Sequence, residues 1–199
     1  MTTRQAGMYL SFIASLTAHV AARAAGPPSA SDGLDEVMRL LGSRRHGEAN
    51  FIEQRFLSLL KKPAESSGVL IYDAPNHLEK RTLEPRPESL LVDGNAVTVQ
   101  RGHRTRVFEL SSYPQVLPFV ESIRATLAGD RAALAKVFRL DFTGSAQRWT
   151  LTLTPLDARV AQSVSQVRID GARAALLNVE IRQPDGDRSL MTLRARADP

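Results

Sequence analysis

Residues 90–99 read LLVDGNAVTV, two apolar runs that are separated by Asp93-Gly94-Asn95. Asp-Gly between two such runs is a strong signal for a β-hairpin, because glycine adopts the positive φ that a tight turn requires. The run at 106–110 (RVFEL) follows, with polar residues on both sides. The stretch therefore predicts short antiparallel strands joined by tight turns.

Further strand-like patterns occur on both sides of this hairpin. Upstream, residues 68–73 (GVLIYD) alternate Val69 and Ile71 with Leu70 and Tyr72. Downstream, an apolar residue occupies every second position in four runs, at 148–154, 166–170, 179–182 and 191–194. The pattern predicts about eight to ten short antiparallel strands, each with one polar face.

Two segments depart from this alternation and carry the spacing of amphipathic helices. Residues 34–41 place four apolar side chains at helical intervals, and Asp32 stands where a helix cap is expected. Residues 118–138 keep helical spacing as well, with a break at Ala128-Gly129-Asp130. Such a break favours two consecutive helices in this segment.

These elements predict a mainly β fold with α-helices, in which a single curved antiparallel sheet, or incomplete β-barrel, is covered by a helical lid. One face of the strands is polar, so the other face must be buried. A β-sandwich is the alternative architecture. We favour the curved sheet because a sandwich would leave the three helices without an apolar surface to cover.

The N-terminal segment, residues 1–25, has the layout of a secretory signal peptide. It carries few charges, a largely apolar run at 8–20 and small residues at 22 and 24. A short amphipathic helix at the start of the domain is the alternative, and the apolar run is too short for a permanent membrane anchor. We therefore expect a signal peptide over 1–25, a linker over 26–33 and a single domain over 34–199.

Composition argues against several classes of protein. The chain has no cysteine, which excludes disulfides, thiol nucleophiles and zinc–thiolate sites. Its 26 Lys and Arg face 21 Asp and Glu, and the arginines are spread among acids rather than gathered in a nucleic-acid-binding patch. The sequence lacks the GxSxG, HExxH, GxGxxG and GxxxxGK[ST] motifs. We therefore expect no enzyme activity, no metal or cofactor and no nucleic-acid partner.

The strand and turn motifs occur in a recognisable order. They are FxEQ at 51–54, SSGVLIY at 66–72 with PNHL at 75–78, LVDGN at 91–95, Phe142 with WxLxLxP at 149–155, VxIxG at 167–171 and DG at 185–186. In this order they resemble the LolA family, whose members are periplasmic carriers of outer-membrane lipoproteins. Each motif alone is a common strand-and-turn pattern, so the resemblance, over about residues 34–194, depends on their shared order.

The resemblance implies an unclosed antiparallel barrel with helices as a lid over a hydrophobic cavity. It implies a monomeric periplasmic protein that carries lipoproteins or other acylated cargo from an inner-membrane exporter to an outer-membrane acceptor.

Three positions depart from the family pattern. Ala74 stands where family members have an arginine that holds the lid shut, and Leu78 and Lys80 stand where bulky aromatic residues are usual. Asp141-Phe142 and two Gly-Asp-Arg triplets resemble a divergent branch that is found beside export and pigment or lipid biosynthesis systems. The resemblance therefore implies either lipoprotein acyl chains or a related lipid as the cargo.

The candidate cargo-binding residues are the apolar positions of the predicted concave face and of the lid. On the strands they are Val69, Ile71, Leu78, Leu90, Val92, Val97, Val99, Trp149, Leu151 and Leu153. On the lid they are Leu34, Val37, Leu41, Ile123 and Leu127. Core packing is the alternative role for each, because a cavity wall and a core use the same residue types.

Two other functions stay open at this point. One is a sensor or accessory domain that docks to a membrane transporter or to a pigment or lipid export system. The other is a hydrolase that acts on a lipid.

Overall fold

The computed structural model describes residues 30–112 and 117–196. Within these residues, eleven strands form one antiparallel sheet. The strands are β1 His46–Phe56, β2 Ala64–Asp73, β3 His77–Glu84, β4 Glu88–Asp93, β5 Ala96–Arg101, β6 Arg104–Glu109, β7 Phe138–Ser145, β8 Arg148–Pro155, β9 Gln166–Ala172, β10 Ala175–Arg182 and β11 Arg188–Ala195. The helices of the same residues are α1 Ala30–Gly42, α2 Leu117–Leu127, α3 Arg131–Val137 and α4 Ala158–Ala161, and a 3₁₀ turn spans Leu110–Ser112.

The first and last strands pair at the centre of the sheet. The strand order is β6-β5-β4-β3-β2-β1-β11-β10-β9-β8-β7. In the described residues β6 and β7 form the two edges, which leaves the sheet unclosed. This arrangement confirms the predicted single open antiparallel sheet and excludes the β-sandwich.

The hairpin and helix-pair signals are confirmed, whereas the predicted cap Asp32 lies inside the first turn of α1. β4 and β5 form the predicted hairpin, in which Asp93 pairs with Ala96 and Gly94 has a φ of 56°. The segment after β6 contains the two predicted helices, and the Asp130 side chain caps α3 by accepting a 2.9 Å hydrogen bond from the Ala133 amide. In the described part of the chain, no helix combines the length and the apolar character needed to cross a membrane.

Helix α1 begins at Ala30, four residues before the predicted start at Leu34. The part of the predicted linker from 30 to 33 is therefore helical, and the rest of it, like the predicted signal peptide, lies outside the described residues. Gly33 has a packing role, because a Cβ at this position would lie 2.9 Å from the Phe142 ring. Glycine lets this turn of α1 approach β7 closely.

Two core clusters lie on the same face of the sheet. The larger one packs α1 against β7–β9, with Trp149, Leu151 and Ile169 almost fully buried. The smaller one lies beneath α2 and is centred on Val92 and Val97. The two helices therefore cover different parts of the sheet, and a space remains between the clusters.

Candidate functional site, an apolar cavity beneath the helices

A cavity of about 270 Å³ lies between the sheet and helices α1 and α2. Strands β1–β4 form one side of its wall and strands β10–β11 form the other. The volume is close to the lower end of the roughly 300–1,000 Å³ range of small-molecule sites. The central pairing of β1 with β11 thus brings the first and last strands together around one space.

Strand register explains how residues of different strands share this wall. Leu70 pairs with Lys80, and Tyr72 pairs with Leu78, which in turn pairs with Val92. Paired residues of an antiparallel sheet point to the same face, so these side chains form one surface across β2–β4. The other apolar residues that border the cavity include Leu90 on β4, Val179 and Ile181 on β10, Met191 and Leu193 on β11, and Leu41, Val120, Ile123 and Leu127 on the helices.

A polar cluster of Glu53, Lys80, Ser66 and Ser189 interrupts the apolar wall. The Glu53 side chain, on a residue only 8% exposed, accepts hydrogen bonds from the Lys80 ammonium and, at 2.6 Å, from the Ser189 hydroxyl. The Ser66 hydroxyl lies 3.4 Å from the carboxylate oxygen that Lys80 contacts. Burial acts to raise the pKa of Glu53, but the hydrogen bonds from Lys80 and Ser189, together with the charges of Lys80 and Arg55, outweigh it and hold that pKa below its ordinary value. The cluster therefore contains an ion pair that faces the cavity.

Helix α2 is fastened to the sheet by Arg124, whose residue is 9% exposed. Its guanidinium donates to the carbonyl oxygen of Gly94 at 2.9 Å and to the side-chain oxygen of Asn76. It also donates to Glu121, on the same helix, at 3.0 Å. Gly94 and Asn76 lie in the β4–β5 and β2–β3 turns, so one side chain joins the covering helix to two hairpins. The arginine that joins this helix to the strand ends is thus a residue of the helix itself. The position directly after β2 is occupied by Ala74.

Tyr72 lies near this fastening and borders the cavity. Its hydroxyl is buried and has no hydrogen-bond partner among the described residues. Burial raises the pKa of this hydroxyl, and the nearby charges of Arg124 and Arg45 offset part of that effect. Tyr72 is therefore neutral at physiological pH and contributes an aromatic surface to the wall.

Several of the predicted residues do border the cavity. From the strands these are Ile71, Leu78, Leu90 and Val92, and from the lid they are Leu41, Ile123 and Leu127. Their contact with cargo stays a prediction.

The predicted face of β2 is wrong. Ile71 pairs with Glu79, and Val69 and Ile71 lie on the face opposite to Leu70 and Tyr72. Ile71 still borders the cavity as part of the strand, whereas Val69 does not. The sequence does not determine which residues of β2 face inward, because four consecutive apolar residues fit either face equally well.

The prediction is also wrong for two residues of α1 and for the three β8 residues beneath it. Trp149, Leu151, Leu153, Leu34 and Val37 lie in the larger core cluster and do not border the cavity. Helix α1 packs directly on this end of the sheet, so no space is left between helix and strands.

Val97 and Val99 are on the cavity-facing side of β5 but do not border the cavity. Val97 pairs with Val92 and Val99 pairs with Leu90. Both contribute to the smaller core cluster, which includes Leu110 and lies beneath α2. These two valines therefore continue the apolar surface of the cavity wall into the core beneath α2.

Sequence reasoning missed the contribution of β10 and β11 and the whole polar cluster. The apolar residues Val179, Ile181, Met191 and Leu193 alternate with polar residues, and this alternation predicts the inward faces of β10 and β11 correctly. Nothing in the local pattern indicated that β11 pairs with β1, more than a hundred residues away. In the sequence, Glu53 is recognisable only as part of the FxEQ motif, because a buried charge cannot be identified without its partners.

Comparison with known proteins identifies the family. The sequence matches the family model described as outer membrane lipoprotein carrier protein LolA-like over residues 25–198. Among solved structures, a LolA superfamily protein from Nitrosomonas europaea matches at 12% identity and a TM-score of 0.43, over 87% of this chain and 96% of that chain. The Pseudomonas aeruginosa MucA/MucB complex matches at 15% identity and a TM-score of 0.46, over 85% of this chain and 58% of that one. Lipoprotein LppX from Mycobacterium tuberculosis matches at 10% identity and a TM-score of 0.44, over 83% and 96% of the two chains.

No curated protein shows significant sequence similarity to this chain. Because the family model spans nearly all of the sequence, this protein belongs to the family of LolA-like outer-membrane lipoprotein carrier proteins.

Proposed function

We propose that this protein is a carrier that holds the acyl chains of lipoproteins, or of a related lipid, in the cavity beneath α1 and α2. The observation that supports the proposal is the wall of the cavity, which is built mainly from aliphatic side chains of the sheet and of two helices. Moving an acyl chain from water into such surroundings contributes about 0.8 kcal/mol per methylene group. Binding of this kind needs no reacting group, so the proposal includes that the protein is not an enzyme.

The cellular part of the proposal follows from family membership. We place the carrier in the periplasm, where it would act as a monomer between an inner-membrane exporter and an outer-membrane acceptor. A carrier between two membranes must release its cargo as well as bind it. Release requires a covering helix that can move away from the cavity.

The first experiment is native mass spectrometry of the protein purified from the periplasm of its own host, followed by organic extraction. We expect a bound lipoprotein or acyl lipid in the extract. A protein that arrives empty, and that takes up no acyl lipid in vitro, would contradict the carrier proposal.

A pair of leucines on β4 allows a matched test of the cavity. Leu90→Asp places a carboxylate in the cavity wall, and we expect binding of a fluorescent acyl probe to weaken by about tenfold or more, because the charge must be desolvated or neutralised. Leu91→Asp changes the adjacent residue, which points to the opposite face, and we expect probe binding within about twofold of the wild type. Circular dichroism would show that both variants fold. Equal losses in the two variants would argue against binding at this wall.

A docking role is the second candidate, and an exposed apolar end of the sheet favours it. Leu59 is 96% exposed in the loop that joins β1 to β2, and Leu60, Leu83 and Leu156 are also exposed. Leu59, Leu60 and Leu83 belong to the same end of the adjacent strands β1, β2 and β3, whereas Leu156 follows β8, six strands away from β3. Exposed apolar side chains that occur together mark interaction sites. A docking domain would lose a stably bound partner in a Leu59→Ser/Leu60→Ser variant and would take up no acyl lipid, whereas a carrier would still bind lipid in that variant.

A further inference from the structure

Lys80 is an unusual residue for the wall of an apolar cavity, and the structure shows how it is accommodated. Its side chain extends from β3 towards Glu53 on β1, and its ammonium lies 5.0 Å from the centroid of the Phe51 ring. Between these strands, β2 presents Gly68, which has no side chain to block the path. A Cβ on Gly68 would lie 1.9 Å from the carbonyl oxygen of Arg81, so the close packing of β2 and β3 requires glycine there.

The polar cluster offers the cavity a charged hydrogen-bond donor, the Lys80 ammonium. The carboxylate of Glu53 is engaged by Lys80, Ser189 and Ser66. An ammonium group carries three N–H donors, and the hydrogen bond to Glu53 uses one of them. Lys80 borders the cavity, and its side chain is 27% exposed. A cargo atom that accepts a hydrogen bond in this part of the cavity would therefore lie beside a side chain with further N–H donors.

The charge of the cluster selects among possible acceptors. Lys80 and Glu53 together carry no net charge, and Glu53 keeps its negative charge close to the ammonium. A free fatty acid would bring a second carboxylate next to Glu53, and like charges repel strongly where water is scarce. A neutral carbonyl oxygen accepts an N–H without that repulsion.

We propose that Lys80 donates a hydrogen bond to a carbonyl oxygen of the cargo, so that the cavity recognises acyl esters and amides rather than free fatty acids. This inference rests on the proposed carrier function and adds the chemical class of the cargo. The aliphatic wall holds the chain, and the Lys80 ammonium fixes the position of the first carbonyl.

Two ligands of equal chain length isolate the carbonyl group. Monopalmitoylglycerol carries an ester carbonyl, and the hexadecyl ether of glycerol lacks it. With the purified protein and a fluorescence displacement assay, we expect the ester to bind about tenfold more tightly than the ether, because a hydrogen bond from a charged donor is lost with the ether. Palmitate, the free acid, is expected to bind more weakly than the ester.

The matching variant is the double substitution Lys80→Met/Glu53→Gln. Lys80→Met alone would leave a buried carboxylate unpaired and could unfold the protein, whereas the double variant removes both charges and keeps an oxygen that can accept from Ser189. We expect its ester-to-ether ratio to fall to about one. Lys62→Met, in the exposed β1–β2 loop, is the control and should keep the wild-type ratio.

The outcomes separate the two proposals. Equal binding of ester and ether by the wild type, a ratio that persists in the double variant, or tighter binding of palmitate than of the ester would each overturn the inference and leave the carrier proposal intact. Binding of none of the three ligands would overturn the carrier proposal, and the inference with it.

Discussion

Glu53 is held in the cavity wall by contacts that compensate its charge. Desolvation of an isolated carboxylate would neutralise it, and a partner that is charged and close prevents this. Lys80 supplies that charge, Ser189 occupies the other oxygen, and the Arg55 charge acts in the same direction. The arrangement is specific to these residues, because removing any one partner leaves the remaining charge in poorly hydrated surroundings.

We expect the contribution of Glu53 to stability to depend on pH. Its pKa is lowered in the folded protein from the ordinary value of 4.5, so the ionised carboxylate stabilises the fold above that value. This stabilisation is lost as the pH falls through the folded-state pKa. In urea unfolding at neutral pH, Glu53→Gln should lower the free energy of unfolding by about 1–3 kcal/mol, and the difference should shrink as the pH is lowered below 4.5.

Glu36→Gln, at an exposed position of α1, is the control and should leave the unfolding free energy nearly unchanged at both pH values. A Glu53→Gln difference that is the same at neutral and acid pH would show that the carboxylate charge does not stabilise the fold.

At the scale of elements, Arg124 provides a polar attachment of α2 to the sheet. Arg124 contacts the β2–β3 and β4–β5 turns, while Val120, Ile123 and Leu127 on the same helix border the cavity. The helix therefore has one polar fastening at the strand ends and an apolar side over the cargo space. Opening of α2 would expose the cavity and break the contacts of Arg124.

We expect Arg124→Met to loosen α2. The substitution keeps an apolar stem over the sheet but removes the hydrogen bonds to Asn76 and Gly94, so amides of α2 should exchange hydrogen about tenfold faster. Mass spectrometry of the exchanged peptides measures this, and release of a bound acyl probe should accelerate in parallel.

Arg131→Met provides the comparison, because Arg131 on α3 forms a more exposed ion pair with Asp35 on α1. We expect it to leave exchange in α2 unchanged. If Arg124→Met also leaves that exchange unchanged, the helix is held by its apolar contacts alone.

At the scale of the whole molecule, the sequence was sufficient for local structure and insufficient for the assembly of the cavity. Asp93-Gly94 and the break at Gly129 specify turns through their own backbone preferences, so the hairpin and the helix pair could be predicted. The inward face of β2 could not, since Val69 to Tyr72 are all apolar. The pairing of β1 with β11 joins residues such as Phe51 and Leu193, and no local preference encodes a contact over that distance.

The two core clusters differ in size, and this difference should appear as a difference in local stability. Beneath α1, Trp149, Leu151 and Ile169 are almost fully buried, whereas β6, at the far edge, is mostly exposed along its length. Elements with few buried contacts open locally at a lower free energy than the core. We expect the amides of β5 and β6 to exchange about tenfold or more faster than those of β8 and β9 under native conditions.

Cargo should change this order, because the cavity lies between the two clusters. A bound chain would contact Leu78 and Leu90 on one side and Met191 on the other, so it would add apolar contacts to β3 and β4, which have few of their own. With saturating monopalmitoylglycerol, we expect exchange to slow in β3 and β4 more than in β8 and β9, which already require global unfolding. Slowing confined to β8 and β9 would place the ligand beneath α1 instead, in the part of the core where the structure leaves no space for it.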